Sequence, residues 1–292
     1  MVVAFISYRC KIIDDNGYKQ LSSLVVKVLN PFLMISGVLG KKVNFTAGLI
    51  KQNIILVCFL YLMLFVFGFI FVKSINCRDN RSYLYRMLIL LPNVGFMGIP
   101  LVKEILGSEY IVLVAFYILG FNIIAYTYGI YLSYKFGGKK PEVSFKKIIN
   151  IGTISAFLAI SIFTFNISFP AAFVSFVNYM GETCIVMSMV VIGALLAKEN
   201  LKNVFLNLEN MVFVFAYMVV IPILMIFIAK KIAFGFDSKI FYVFQIMACM
   251  PIGSVTCMLA QEYGGDGTKA AHLVAITTVA TVVTAPIVLG CF

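Results

Sequence analysis

Two stretches of this 292-residue chain carry hydrogen-bonding and helix-breaking residues in the middle of long apolar runs. One is Leu90–Leu101, Leu-Leu-Pro-Asn-Val-Gly-Phe-Met-Gly-Ile-Pro-Leu; the other is Ala248–Ala260, Ala-Cys-Met-Pro-Ile-Gly-Ser-Val-Thr-Cys-Met-Leu-Ala. Proline removes a backbone donor and clashes with the preceding turn, and glycine is about 1 kcal/mol poorer than alanine inside a helix. Both stretches are therefore expected to be broken helices. A half-helix that starts close to Pro100 or Pro251 loses nothing by the missing proline donor. Its free N–H groups and positive dipole end then face the break, where an anion, above all a carboxylate, is the natural guest. Asn93 can both donate and accept there, and the hydroxyls of Ser254 and Thr256 can complete the hydrogen bonding. A single break would be explained as well by an ordinary kink. Two at matching places point to a site.

Few other residues in the apolar runs can do chemistry. Glu182 follows Gly181 inside the run Phe173–Ala197 and is the acid best placed for a step linked to H⁺ or Na⁺. The alternative is that the span begins near Met180, which puts this carboxylate at a helix N-terminus in the headgroup zone. Lys27 lies six residues into its run and can snorkel to the interface. Glu104, Glu109, Glu262 and Asp266 fall at run ends, and the single histidine, His272, is near a run start. There is no His-Glu-x-x-His zinc helix, no Walker Gly-Lys-Ser/Thr loop and no nucleophile elbow. Gly264-Gly265-Asp266-Gly267 reads as a tight turn. Nothing in the spacing calls for a metal or an organic cofactor.

The elements that must position these residues follow from composition. The chain is 62% hydrophobic and only 12% charged, whereas soluble domains are about half apolar and a quarter charged, so an ordinary soluble enzyme is excluded. Crossing about 30 Å of hydrocarbon takes about 20 helical residues. Runs of that order are Leu21–Leu39, Asn53–Val72, Met87–Leu106, Tyr110–Tyr134, Ile148–Phe165, Phe173–Ala197, Met211–Ala229, Ile240–Ala260 and Ala270–Cys291. Ahead of them Met1–Tyr8 is apolar but too short, and lacks the layout of a signal peptide. It is expected to be the tail of a tenth, truncated helix. The seven cysteines are scattered without a Cys-x-x-Cys pair and read as small buried apolar residues.

The net charge of +11 sits in the connections, which gives it a topological use and nucleic acid no part as a partner. With Met1–Tyr8 counted as the first span, connections after odd-numbered spans carry fifteen Lys and Arg, and those after even-numbered spans seven. The first set is expected to be cytoplasmic and both chain ends outside, in a multi-pass protein of the cell membrane.

Pro100 and Pro251 lie 151 positions apart, so each half carries one interrupted span. Five spans per half is odd, so residues 148–292 must enter the membrane from the side opposite to residues 1–147. That is the inverted repeat of many secondary transporters, read here as one all-α transport unit built of two five-helix repeats.

The sequence from Asn93 to Leu101 resembles the fourth-span signature of the auxin efflux carrier family, which includes the plant PIN-type carriers and many bacterial permeases. Met250 to Tyr263 is similar to the ninth-span segment, Thr277–Pro286 to the tenth, Leu29-Asn-Pro31 to the second and Ser188–Ala197 to the seventh. The resemblance implies a scaffold of spans one, two, six and seven and a transport domain in which spans four and nine cross. It further implies that Asn93 and the backbone of Gly95, Gly98 and Pro100 contact substrate, with Pro251, Gly253 and Ser254 opposite, and that the protein is a homodimer. Departures are the short first span, Val186 where relatives often have proline, and no long loop between the halves. They favour the bacterial permease type.

The expected function is secondary transport of small organic anions, auxin-like or other carboxylates, by alternating access. One alternative is a malate-type dicarboxylate permease coupled to H⁺ or Na⁺ through Glu182. The other is a membrane receptor or scaffold that does not transport.

Overall fold

The computed structural model describes residues 2–37, 39, 46–77, 79–138, 149, 151–165, 167–198, 207–263 and 265–292. The expected boundary at 147/148 and several connection cations (Lys41, Lys42, Arg78, Lys139, Lys140, Lys146, Lys147 and Lys202) lie outside the described residues, as does the side chain of Glu262. Among the described residues the ordered elements are helices: α1 (Val2–Arg9), α2 (Asp15–Leu24), α3 (Asn30–Ser36), α4 (Ala47–Ser74), α5 (Arg81–Leu90), α6 (Ile99–Leu106), α7 (Ile111–Ile124), α8 (Ile130–Phe136), α9 (Ile151–Thr164), α10 (Ala171–Lys198), α11 (Leu208–Phe215), α12 (Ile221–Ile232), α13 (Ser238–Ala248), α14 (Val255–Tyr263) and α15 (Gly267–Gly290).

Among the described residues five stretches are long and apolar enough to cross a bilayer as continuous helix: Ala47–Ser74, Ser108–Phe136, Ala171–Ala194, Leu208–Ile232 and Gly267–Gly290. They match the third, fifth, seventh, eighth and tenth expected spans within a few residues. The fourth and ninth are interrupted, as the sequence predicts, and the first and sixth are short at 8 and 14 residues. The chain is an all-α, multi-pass membrane protein.

Prolines shape several of these spans in a common way. A wide π turn stands at Val25–Leu29, Val94–Gly98 and Ala216–Val220, and in each case a proline follows two residues later: Pro31, Pro100 and Pro222. A proline ring collides with the carbonyl four residues back. Those carbonyls belong to Lys27, Phe96 and Met218, each inside the π turn, and widening the backbone there relieves the clash without ending the helix. A fourth π turn, Ala125–Gly129 between α7 and α8, has no proline; Thr127 there donates its hydroxyl back to the Ile123 carbonyl.

The chain forms two compact units, each drawing on both halves of the sequence. The first comprises residues 1–45, 95–119 and 149–200. Its backbone is the 28-residue α10, which packs on α1, α2 and α3, while α3 also meets α9. Small residues allow this close approach: a Cβ on Gly181 would stand 2.7 Å from Ser36 Oγ and 3.2 Å from Leu33 Cα. The second unit comprises residues 46–94, 120–148 and 201–292. Here α4 packs against α5, α12 and α13, and α15 against α11, α13 and α14.

Polar contacts inside the second unit sort the connections by end. Glu209, in the first turn of α11, accepts from Tyr85 and pairs with Arg81 at 3.4 Å and Lys269 at 3.6 Å. That gathers the connections after spans three, seven and nine at one end of the unit. At the other end Asp237 donates its backbone N–H to Gln52 (2.9 Å), and Lys230 reaches the Phe292 carbonyl (3.3 Å). The grouping is the one the odd and even connections require. Arg81 is exposed and Glu209 and Lys269 are half-buried at the surface, so each pair contributes about 1 kcal/mol or less. Cys184, Cys249 and Cys257 are buried as expected, whereas Cys10, Cys58 and Cys291 are exposed.

Candidate functional site

In the second unit the two breaks meet. Span four leaves helical geometry after Leu90 and span nine after Ala248, and the unwound backbones run antiparallel with Pro92 opposite Ile252. Asn93 donates its N–H to the Pro251 carbonyl at 2.7 Å, and Gly253 donates to the Leu91 carbonyl at 2.8 Å. Pro92 occupies a position that owes no N–H to the partner, so its missing donor costs nothing. Pro251 cannot donate toward Asn93, and the Gly253 carbonyl is claimed by Thr256, through its N–H (3.0 Å) and its hydroxyl. The pairing therefore stops after one bond on each side. A minimal bridge leaves the neighbouring backbone groups to other partners.

Those partners come from other spans. Tyr217, on the π turn of span eight and only 4% exposed, donates its hydroxyl to the Met250 carbonyl at 3.3 Å. Thr277, buried on α15, takes the Ile252 N–H at 3.4 Å. Buried backbone polar groups that find no partner are costly, about 1–3 kcal/mol each, so these two side chains help to hold the break open. Rings continue the support: Tyr217 stacks on Phe213 (5.9 Å), Phe213 lies 5.3 Å from Tyr85, and the Tyr85 hydroxyl bonds Glu209. An aromatic column thus joins the charged end of the unit to the crossing. Phe121 packs beside Gly253, where a Cβ would come within 3.4 Å of its ring.

Of the residues singled out in the sequence, the structure brings Asn93, Pro251, Gly253 and Thr256 together, with Ser254 at the turn into α14, where its backbone carbonyl accepts the Cys257 N–H at 3.1 Å. Asn93 and Thr256 are buried. Gly95, Gly98 and Pro100 belong to the other compact unit, where Pro100 is buried in the first turn of α6 and a Cβ on Gly95 would meet nothing within 4 Å. Glu182 belongs to the first unit and not to that of the crossing. In the first unit its side chain is 65% exposed and lies 3.9 Å from Lys103 near the C-terminal end of α6. Helix α10 begins at Ala171, well before Met180, so Glu182 is not at a helix N-terminus.

Sequence reasoning matched Pro100 with Pro251, while the bridge itself uses Pro92. It also passed over Tyr217, whose only signal was a lone hydroxyl in an apolar run five residues before Pro222. Among the described residues no three metal-ligating side chains converge.

A helical protein that crosses the bilayer many times and joins two broken spans through their unwound backbones has the construction of a membrane permease. The chain belongs to the membrane transport protein family, whose profile matches residues 1–150 and again residues 140–289, and which contains the auxin efflux carriers. No curated protein matches the chain.

Proposed function

We propose that this permease is a secondary transporter of small organic anions, and that the crossing of spans four and nine is its substrate site. The observation that carries the reading is the antiparallel bridge at Pro92 and Ile252, because unwound backbone at bilayer depth persists only where protein or a watery cavity satisfies it. The Thr256 and Cys257 N–H groups are taken by the Gly253 and Ser254 carbonyls, so what the start of α14 offers beside that bridge is its positive dipole end, with the side chains of Ser254 and Thr256 at the same turn, and this suits a carboxylate. Asn93 on the facing strand supplies a side chain with both donor and acceptor. Gly95, Gly98, Pro100, Pro251 and Gly253 form the remainder of the proposed set. Alternating access follows from motion of the crossing between the two sides. Inverted five-helix repeats, a homodimer, a cell-membrane location and both ends outside belong to the same reading.

Uptake of labelled aromatic acids, dicarboxylates and amino acids into proteoliposomes tests it. Asn93→Ala and Ser254→Ala are each expected to raise KM for the carried acid about tenfold, the loss of one hydrogen bond to a charged group. Gly95→Ala separates packing from substrate space. A methyl there meets no protein atom and should leave thermal stability unchanged or slightly higher, so lost uptake in a folded Gly95→Ala protein would mean that substrate needs the room. Wild-type KM in all three variants overturns the site.

Coupling to H⁺ or Na⁺ through Glu182 is a second reading. The carboxylate pairs with Lys103 and is otherwise open, an arrangement worth about 0–1 kcal/mol as an ion pair. Glu182→Gln is accordingly expected to keep the dependence of uptake on a pH or Na⁺ gradient. A gradient response that disappears in this variant assigns the coupling to Glu182.

A further inference from the structure

We infer that Arg86 and the aromatic residues around it form a headgroup site for an anionic phospholipid, separate from the crossing. Arg86 is on α5, six residues before Pro92, which is about 9 Å along a helix axis. Half of the hydrocarbon thickness is about 15 Å, so a break near mid-depth leaves the Arg86 backbone about 6 Å inside the apolar layer, with its side chain long enough to reach the headgroups. An arginine at such depth is rare and needs a counter-charge or polar partners.

The partners the structure supplies are aromatic. The Arg86 Cζ stands 3.8 Å over the Phe69 ring and 5.7 Å from the Tyr83 ring, and one guanidinium nitrogen donates to the Tyr128 hydroxyl. Its Nε is buried without an acceptor, and among the described residues no carboxylate lies within ion-pair distance of Arg86. Rings and a phenol stabilise a cation by a few kcal/mol at most and do not neutralise it. The charge is unmatched, and an anion would match it.

Its surroundings choose a lipid over a soluble anion. Phe65 and Phe69 are 40% and 42% exposed and continue into the exposed apolar face of α4 at Leu62, Val66 and Ile70, a track for acyl chains. On the polar side Tyr128 stacks on Tyr131 at 5.8 Å, and the Lys135 ammonium lies 5.8 Å from the Tyr131 ring. A phosphate between Arg86 and Lys135, with its chains along α4, satisfies the guanidinium and covers the exposed rings. A small soluble anion would leave those rings bare. The leaflet is the one nearest the connection between α4 and α5.

The test uses the whole protein, stripped of lipid in detergent and reconstituted into phosphatidylcholine nanodiscs with increasing phosphatidylglycerol. The thermal unfolding midpoint should rise with phosphatidylglycerol in the wild type. Arg86→Gln should need about fivefold more of it for half the rise, the factor for about 1 kcal/mol per cation near the membrane surface. Lys135→Gln should show a similar change, and it carries the test if Arg86→Gln is not recovered folded. Glycerophosphate in solution, added to phosphatidylcholine discs, should have no effect. The proposal fails if phosphatidylglycerol raises the midpoint no more than phosphatidylcholine does. It fails equally if the folded variants respond as the wild type does, or if soluble glycerophosphate reproduces the rise. None of these results depends on which acid is transported.

Discussion

Replacing Gly253 by valine should abolish transport while leaving the protein in the membrane. A Cβ at this position would stand 3.2 Å from the Leu91 carbonyl oxygen, 3.4 Å from the Pro92 carbonyl oxygen and 3.4 Å from the Phe121 ring. Two of those neighbours are backbone, and the first accepts the Gly253 N–H at 2.8 Å. A single methyl forces shifts of a few tenths of an ångström; valine adds two more carbons in a space already closed. Overpacking of this kind costs about 1–3 kcal/mol, and the two backbone bonds of the bridge are worth about 0.5–1.5 kcal/mol each. The penalty is as large as the bridge. Uptake per reconstituted molecule should fall at least about tenfold, the factor for 1.4 kcal/mol, with Gly253→Ala intermediate. Gly290→Ala, at the end of α15 with nothing within 4 Å of the added methyl, is the control and should transport normally. Full uptake by Gly253→Val would show that the bridged crossing is not required.

The positions of both breaks were legible because proline and glycine act locally: each disfavours helix whatever surrounds it. Which proline enters the bridge was not legible. Pro92 and Pro100 are equally poor helix residues, and the choice rests on antiparallel pairing with Ile252, a contact across 160 positions. The same limit hid Tyr217 and Thr277, whose partners Met250 and Ile252 lie 33 and 25 residues away. Grouping of the spans was hidden for a different reason. Helices such as α4, α7 and α10 are apolar on every side, so no polar stripe tells which face meets protein and which meets lipid. The ends escaped that limit: the connections after spans three, seven and nine are separated by even numbers of spans, so the order of spans alone puts them at the one end where Glu209 meets Arg81 and Lys269. Pro222 went unread too, although its clash with the Met218 carbonyl is what the π turn in span eight relieves.

Gly37→Ala should be the most destabilising single methyl in the first unit. Gly37 closes α3, and a Cβ there would fall 2.5 Å from Ile111 Cβ and 2.8 Å from Ile111 Cγ2, with the Ser108 carbonyl oxygen at 3.3 Å. A Cβ is fixed by its backbone, so no rotation of Ile111 relieves the overlap, and Ile111→Ala, which keeps that atom, should not rescue the variant. The chain must shift instead, at about 1–3 kcal/mol or more. Gly181→Ala offers the contrast within the same unit. Its closest neighbour, Ser36 Oγ at 2.7 Å, is the far end of a side chain that can turn away, leaving Leu33 Cα at 3.2 Å, so its cost should be smaller. Thermal unfolding in detergent ranks the two against the wild type. Because Gly37 belongs to the first unit and the residues of the bridge to the second, the Gly37→Ala molecules that remain folded should keep the wild-type KM; an altered KM at unchanged stability would mean that the fit of α3 against residues 108–111 serves transport and not folding.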